Sequence, residues 1–145
     1  MTAVDDVDEL IEQFNLAQGE FLKGNVEPMN ELFSHGEDVT LNNPLSPPAH
    51  GWERVAATME RAASQFRDGD IVAIENQEKH VTPELAYVVR VERAKAKVGG
   101  SEDIIAPIAL RVTMIFRPEE GEWKIVHRHA DPITTAQAPE SVIQE

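Results

Sequence analysis

The sequence predicts a single α+β domain in which three N-terminal helices pack on a strongly curved antiparallel sheet. Its length of 145 residues is typical of one domain and allows a sizeable hydrophobic core. Apolar residues recur every three or four positions in the first half, which is the spacing of helices. From Asp70 onward the spacing changes to two, which is the spacing of strands.

The helices are predicted from stripes of apolar residues. The first helix carries its stripe from Val4 to Phe21, and Gly24 and Asn25 then end it and start a shorter helix that stops at Gly36. The third helix follows Gly51, with its stripe at Trp52, Val55, Met59, Ala62 and Phe66. Three helices are therefore expected before the long strands.

The strands are predicted as one short segment followed by a meander. The short strand spans 38–43 and runs into a stiff loop with three prolines. Four long strands are expected over 70–81, 84–98, 104–117 and 122–133, separated by Thr82-Pro83, by Gly99-Gly100-Ser101 and by the polar turn 118–121. The domain is thus expected to cover 1–133, with 134–145 as a tail that is either frayed or laid on a partner subunit.

Composition excludes several classes of protein. The chain has 13 Lys and Arg against 26 Asp and Glu, a net charge of −13, so no nucleic-acid partner is expected. It has no cysteine, which excludes disulfides and thiolate metal sites and fits a cytoplasmic protein. The acidic N-terminus has no apolar secretion signal and no apolar run is long enough to cross a membrane, so no membrane association is expected.

The order of elements predicts an internal pocket and a dimer. Long antiparallel strands curl around the helices, and the space that the helices leave open forms a cleft suited to a small organic ligand. In the third long strand, apolar residues occupy both parities, as Ile108 and Leu110 alternate with Ala109 and Ile115. Burial of both faces predicts a homodimer through the convex face of the sheet.

Three segments resemble the SnoaL-like branch of the nuclear transport factor 2-like superfamily. They are Val39-Thr-Leu-Asn-Asn-Pro44, His50-Gly51-Trp52, and Gly121-Glu-Trp123-Lys-Ile-Val-His127-Arg-His129-Ala-Asp131. The resemblance implies a cone-shaped barrel of the cystatin-like type, usually dimeric, with a pocket. In this superfamily the pocket serves ketosteroid isomerase, polyketide cyclases and scytalone dehydratase, and the fold also forms non-catalytic hubs such as a kinase association domain, so the fold alone does not fix the function.

The resemblance argues against ketosteroid isomerase itself. That enzyme's general base is the aspartate of an Asp-Pro pair, and here Asn43-Pro44 holds the matching position. An amide is not a useful proton acceptor. The enzyme's oxyanion tyrosine comes from the first helix, whereas the single tyrosine here, Tyr87, lies in a predicted strand. Whether the chain is an enzyme at all stays open, and any activity is expected to be cofactor-independent acid–base chemistry.

His127, His129 and Asp131 are the candidate catalytic residues. They alternate along the last strand and so share one face, with neighbouring side chains roughly 6 to 7 Å apart. A histidine whose pKa is tuned by a carboxylate suits proton transfer near neutral pH, with His127 or His129 moving the proton and Asp131 orienting it. The alternative is that these histidines bond to the backbone or lie at the dimer surface. No metal site is expected, because a third ligand is missing.

A second set of residues is predicted to bind ligand rather than to catalyse. Arg111 and Thr113 share a face of one strand, and Arg128 faces away from the histidines on the next, so these three form the other candidate lining. Arginines inside a cone favour an anion, as the resemblance to the kinase hub also implies, although a buried ion pair is the alternative. Asn43, Trp52 and Tyr87 complete the ligand-binding candidates, because Asn43 flanks the proline loop and the two aromatic residues are bulky enough to line a pocket.

Two functions therefore stand side by side. The first is a small-molecule-binding protein that acts as a cofactor-independent lyase, isomerase or hydrolase through a pocket histidine. The alternative is a non-catalytic ligand-sensing or assembly module that binds a small carboxylate through pocket arginines. The face of the last strand that lines the pocket decides between the two linings, because one register step exchanges the faces of a strand. The ligand and the pathway are not determined by the sequence.

Overall fold

The computed structural model of the chain describes residues 2–100 and 103–144. The helices are α1 (Ala3–Phe21), α2 (Glu27–Leu32) and α3 (Trp52–Ala63), and the strands are β1 (Thr40–Asn42), β2 (Ala49–His50), β3 (Phe66–Val81), β4 (Ala86–Val98), β5 (Ala106–Glu119) and β6 (Glu122–Asp131). A short 3-10 turn follows at Pro139–Val142. The predicted α+β class is confirmed. Ser101, from the predicted Gly99–Ser101 turn, and Glu145, the last residue of the predicted tail, lie outside the described residues.

The six strands form one curved sheet in the order β2-β1-β6-β5-β4-β3. The strands β3 to β6 pair as an antiparallel meander, as the sequence predicts. The short strand β1 departs from an all-antiparallel sheet, because it pairs parallel with β6. The two-residue strand β2, which pairs with β1, has no counterpart in the sequence analysis.

The boundary between α3 and β3 differs from the prediction. Phe66 continues the apolar stripe of the third helix, but the helix ends at Ala63 and Phe66 begins β3. The Ser64 side chain closes the helix by donating to the Arg61 carbonyl at 2.6 Å. Phe66 then packs on Phe21, the last residue of α1, with ring centroids 6.0 Å apart. One large apolar side chain thus satisfies either period, and its tertiary partner decides which one is used.

Gly69 allows the end of α1 to approach the sheet closely. Its backbone N–H donates to the Leu22 carbonyl at 3.0 Å. A Cβ at this position would lie 2.6 Å from the Leu22 Cβ and 2.9 Å from the Ala96 Cβ, closer than such atoms pack in proteins. The absence of a side chain at Gly69 therefore allows the C-terminal end of α1 to pack directly against β3 and β4.

The sheet has an inner face toward the helices and an outer face away from them. The inner face carries the buried side chains of alternating residues Val88, Arg90, Glu92 and Ala94 of β4, Val112, Met114 and Phe116 of β5, and Ile125, Arg128 and Ala130 of β6. The outer face carries three rows of side chains across the same strands: Tyr87, Ile115 and His127; Val89, Thr113 and His129; Val91, Arg111 and Asp131.

A β-bulge in β6 sets which residues face inward. Ile115 pairs with His127, yet the next residue, Phe116, pairs with Ile125, so Val126 is the extra residue. Ile125 and Val126 are both buried. Simple alternation from Ile125 would turn His127 inward, but the extra residue shifts the parity by one and turns Arg128 inward instead.

None of the helices in the described part of the chain is both long enough and apolar enough to cross a lipid bilayer.

Candidate ligand-binding cavity

A cavity of about 70 Å³ lies between the helices and the inner face of the sheet. Its wall is mostly apolar and includes Phe21, Met29, Met59, Ile108 and Leu110. The loop after β1 also contributes to the wall, and its Leu45 is 50% exposed, so this loop forms the side nearest solvent. Of the described residues that line the cavity, Glu92 and Arg128 are the charged ones. The cavity is therefore an apolar chamber with one ionic wall.

The ionic wall is part of a buried cluster of two arginines and one carboxylate. Arg128 donates from Nη2 to Oε1 of Glu92 at 2.7 Å and from Nη1 to Oε2 at 3.0 Å. Arg90 donates to the same Oε2 from Nε at 3.0 Å and from Nη2 at 2.8 Å. The three residues are 1% (Arg90), 2% (Glu92) and 7% (Arg128) exposed. Two positive charges thus share one negative charge inside the protein.

These contacts keep the Glu92 carboxyl ionised. Burial alone raises its pKa, but the charges and hydrogen bonds of Arg128 and Arg90 outweigh burial and lower the pKa to about 2. Burial lowers the pKa of Arg90, and the charge and hydrogen bonds of Glu92 oppose that effect. Arginine side chains keep their charge in proteins, so two guanidinium groups and one ionised carboxylate give the cluster a net charge of one positive unit.

Phe14 of α1 gives the arginines an aromatic partner. The Cζ atoms of Arg90 and Arg128 lie 5.3 and 5.0 Å from the centroid of its ring, within the range of a cation–π contact. Phe14 itself is fully buried. The Nη1 atom of Arg128 also contacts the Met114 sulfur at 3.6 Å. The surroundings of the cluster are thus aromatic and polarisable, with no second carboxylate among its described hydrogen-bond partners.

The three predicted catalytic residues lie on the outer face rather than in the cavity. The Nδ1 atom of His127 and the hydroxyl of Thr40 form a hydrogen bond of 2.7 Å. Burial lowers the pKa of His127, and the neighbouring His129 lowers it further. The Nε2 atom of His129 lies 3.2 Å from Oδ2 of Asp131, so the expected pairing of these two exists, but at a site that is half exposed. Of the two candidate linings, the histidine set is thus not the one that faces the cavity, because the bulge at Val126 turns these side chains outward.

The second predicted lining is divided between the two faces. Arg128 lines the cavity, whereas Arg111 and Thr113 lie on the outer face beside Asp131 and His129. Arg111 donates from Nε to Oδ1 of Asp131 at 2.6 Å, and this bond lowers the pKa of Asp131 although burial raises it. The grouping of Arg111 and Thr113 with Arg128 is therefore wrong, again because of the parity change in β6.

Asn43, Trp52 and Tyr87 occupy three different environments. Asn43 lines the cavity, and its Oδ1 accepts from the Leu45 backbone at 2.9 Å, which fixes the turn. Trp52 lies outside the cavity wall and stacks on His35 with ring centroids 3.9 Å apart. Tyr87 lies on the outer face, with its ring 5.7 Å from that of His80. Only Asn43 of these three adjoins Arg128 in the wall of the cavity.

The sequence analysis missed Arg90, Glu92 and Phe14. A signal for the first two was present, because both share the parity of Ala86, Val88, Ala94 and Ala96 in β4. Small apolar residues at alternating positions predict an inward face, so charged residues at the same parity indicate a buried ionic cluster. Phe14 carried no such signal, since any aromatic residue suits the stripe of a core-facing helix.

The described residues contain no group of three or more His, Asp or Glu side chains placed to hold a metal ion. His129 and Asp131 approach each other, but Asp131 is already engaged by Arg111.

The helices packed on a curved six-stranded sheet, with a cavity between them, define a class of small α+β domain, and comparison with protein families identifies the family. A model of the SnoaL-like domain matches residues 7–134, which is most of the chain. The protein therefore belongs to the SnoaL-like family. This membership supports a small-molecule-binding domain and does not fix its specificity. A search of curated proteins finds no significant match.

Solved structures support the same fold. A protein from Streptomyces avermitilis, proposed to be a dehydratase of the NTF2-like family, has a TM-score of 0.75 and 18% identity, covering 92% of this chain and 98% of that one. A proposed calcium/calmodulin-dependent protein kinase type II association domain from Thiobacillus denitrificans has a TM-score of 0.63 and 20% identity, covering 86% and 93%. A protein with a cystatin-like fold from Caulobacter vibrioides has a TM-score of 0.65 and 19% identity, covering 96% and 92%. At these identities the likeness concerns the fold alone.

Proposed function

We propose that this chain binds a small organic anion in its cavity, with the anionic group against Arg128 and the apolar part against the hydrophobic wall. The observation that carries the proposal is the charge of the buried cluster: Arg90 and Arg128 share the single carboxylate of Glu92. No catalytic step is part of the proposal.

An uncompensated charge inside a protein is unfavourable. Even after relaxation, desolvation of a buried ion costs several kcal/mol, so a net positive cluster is normally balanced by an opposite charge. The ring of Phe14 offsets about 2 kcal/mol for a desolvated guanidinium. An anion in the adjoining cavity would supply the remaining compensation, and arginine is the side chain best suited to a carboxylate.

The rest of the cavity favours a ligand that is small and largely apolar. Its volume is about 70 Å³, and most of the wall consists of aliphatic and aromatic side chains. Gln18 and Asn43 are uncharged polar groups in the wall, available to orient a ligand. A short-chain monocarboxylate fits these features, and pentanoate is a suitable probe.

The test is calorimetric titration with pentanoate of the parent chain and of two arginine variants. Arg128→Met removes the guanidinium beside the cavity and is expected to weaken binding at least tenfold, since a charge-assisted contact is lost. Arg111→Met is the matched control, because Arg111 lies on the outer face in an exposed ion pair, and it is expected to bind like the parent chain. Equal binding by all three proteins would refute the proposal, as would the absence of binding to the parent chain.

The acid–base alternative receives less support from the contacts. A general acid or base must lie within hydrogen-bond reach of the reacting atoms. His127 and His129 belong to the outer face, on the side of the sheet opposite Arg128. Glu92 adjoins the cavity, but a carboxyl with a pKa of about 2 is a weak proton acceptor at neutral pH.

The outer face supports a second part of the proposal, a homodimer formed through it. The chain has a net charge of −13, yet the three outer-face rows of β4, β5 and β6 include one carboxylate, Asp131, which Arg111 neutralises. The remaining residues of the rows are apolar or neutral polar groups and two histidines. A second copy of the same chain fits this surface without charge repulsion. Ile115→Glu would place a carboxylate in the middle of the face, and analytical ultracentrifugation is expected to give a dimer for the parent chain and a monomer for the variant; a monomeric parent chain would refute this part.

A further inference from the structure

We propose that Glu92 restricts the cavity to singly charged anions and excludes doubly charged ones. The inference rests on the proposed function, since it concerns the selectivity of the same cavity. Glu92 is here a specificity-determining residue, set by its place beside Arg128 in the wall and by its sharing of both arginines.

The net charge of the buried cluster limits the charge of a ligand beside it. Arg90 and Arg128 contribute two positive charges and Glu92 one negative charge, and the three are buried together. A ligand with one negative charge makes the assembly neutral. A ligand with two leaves one negative charge in an apolar interior, which is as unfavourable as the empty cluster.

Glu92 lies in the cavity wall, where its carboxylate opposes a second anionic group. Its side chain lines the cavity together with Arg128, so a second anionic group on a ligand would face this carboxylate at short range. Glu92 already accepts from Nη1 and Nη2 of Arg128, so few N–H groups of this guanidinium remain for a second carboxylate once the first has bound. The position of Glu92 and the net charge of the cluster therefore both disfavour a doubly charged ligand.

Arg90 does not itself line the cavity and acts on it through Glu92. Its Nε and Nη2 atoms both donate to Oε2 of Glu92 and leave Oε1 to Arg128. Without Arg90, the pair of Arg128 and Glu92 would be neutral and would attract no anion. Arg90 is thus a positioning residue that sets the charge of the cluster from outside the ligand site.

The test compares three probes that differ in charge and branching. Pentanoate carries one carboxylate, and propylmalonate is pentanoate with a second carboxylate on its α-carbon. The probe 2-methylpentanoate has a methyl group at that position, so it reports the effect of branching without the added charge. Titration at pH 8 keeps both malonate carboxyls ionised. We expect the parent chain to bind pentanoate and 2-methylpentanoate similarly, and propylmalonate more weakly by about tenfold or more.

Two substitutions and their combination change the charge count. Glu92→Gln raises the net charge of the cluster to two, and the affinity for propylmalonate relative to 2-methylpentanoate is expected to rise by about tenfold or more. Arg90→Met lowers the net charge to zero, and all three probes are expected to bind at least tenfold more weakly. The double variant returns to one positive charge but lacks the Glu92 carboxylate in the wall, so part of the preference of the parent chain is expected to return. If Glu92→Gln proves unfolded by circular dichroism, the Arg90→Met and double variants still provide the comparison.

The outcomes separate the two proposals. If the parent chain binds none of the probes, both the proposed function and this inference fail. If it binds the monocarboxylates but prefers propylmalonate, or if the relative affinity is the same in every folded variant, anion binding stands and the role of Glu92 is refuted. Partly restored selectivity in the double variant supports the inference, since a merely structural role of Arg90 and Glu92 would not follow the charge count.

Discussion

Arg128 and Glu92 lie 36 residues apart in the chain and meet through two parallel hydrogen bonds of 2.7 and 3.0 Å in the protein interior. The contact joins β6 to β4 across the intervening strand β5, because side chains of the inner face project over their neighbours. It stabilises the meander and, at the same time, forms the ionic wall of the cavity.

This contact predicts an acid-sensitive contribution to stability. The pKa of Glu92 is lowered from 4.5 to about 2 in the folded chain. Its contribution is therefore complete above pH 4.5 and is lost as the pH falls from 4.5 toward 2, because only the unfolded chain takes up the proton readily. The difference in pKa corresponds to about 3 kcal/mol at neutral pH, with more than half of it lost by pH 3.

The measurement is urea denaturation of the parent chain and of Glu92→Gln from pH 7 to pH 3. We expect the variant to be less stable by about 3 to 5 kcal/mol at pH 7, since two buried arginines lose their partner. The gap should narrow as the pH falls below 4.5. A gap that stays constant down to pH 3 would contradict the lowered pKa.

Phe14 is expected to stabilise the folded chain by more than the burial of its apolar area alone would give. Phe14→Leu keeps a large apolar side chain but removes the aromatic face on which Arg90 and Arg128 lie. Phe116→Leu is the matched control, because Phe116 is equally buried, and no cation–π contact involves it among the described residues. Chemical denaturation is expected to show an additional loss of about 1 to 2 kcal/mol for Phe14→Leu. Equal losses would mean that the ring acts only through packing.

Gly69 predicts a destabilising effect of a single methyl group. Gly69→Ala would place a Cβ 2.6 Å from the Leu22 Cβ, forcing the end of α1 away from the sheet. The expected loss in the free energy of unfolding is about 1 to 3 kcal/mol. Gly19→Ala, in the open part of the same helix, meets no atom within 4 Å and should raise stability by about 0.5 to 1 kcal/mol. Thermal unfolding of the two variants should therefore shift in opposite directions.

His127 predicts a second dependence of stability on pH, in a higher pH range than that of Glu92. Its pKa is lowered from 6.5 in the folded chain, first by burial and then by His129. Below pH 6.5 the unfolded chain binds the proton more tightly, so stability falls as the pH drops from 6.5 to the lowered value and is unaffected well above 6.5. His127→Asn keeps a polar group near the Thr40 hydroxyl and removes the titration. Melting temperatures at a fixed protein concentration should show a shallower decline for this variant between pH 7 and pH 5, and parallel curves would speak against the prediction.

Much of the fold follows from local patterns. The stripe of α1 and the alternation in β4 are long enough that periodicity alone identifies them. The strand β2 has two residues, too few for any period, and the parallel pairing of β1 with β6 joins residues 40 and 127, a contact that no local pattern encodes.

The site was predictable only in part. Arg128 was identified as a candidate, but its grouping with Arg111 was wrong, because a strict period of two was carried through a strand that contains a bulge. Both parities of β6 contain residues that suit a pocket, so the sequence offered no means of choosing between them. Arg90 and Glu92 required the judgement that a charged pair at inward positions belongs to the interior.

The bulge at Val126 also determines how β6 would respond to the loss of a residue. Deletion of Val126 would restore strict alternation without exchanging the faces, because Ile125 would directly precede His127 and Arg128 would still point inward. Straightening β6 with Val126 retained would instead turn His127 inward and Arg128 outward, so the bulge itself keeps the guanidinium on the inner face.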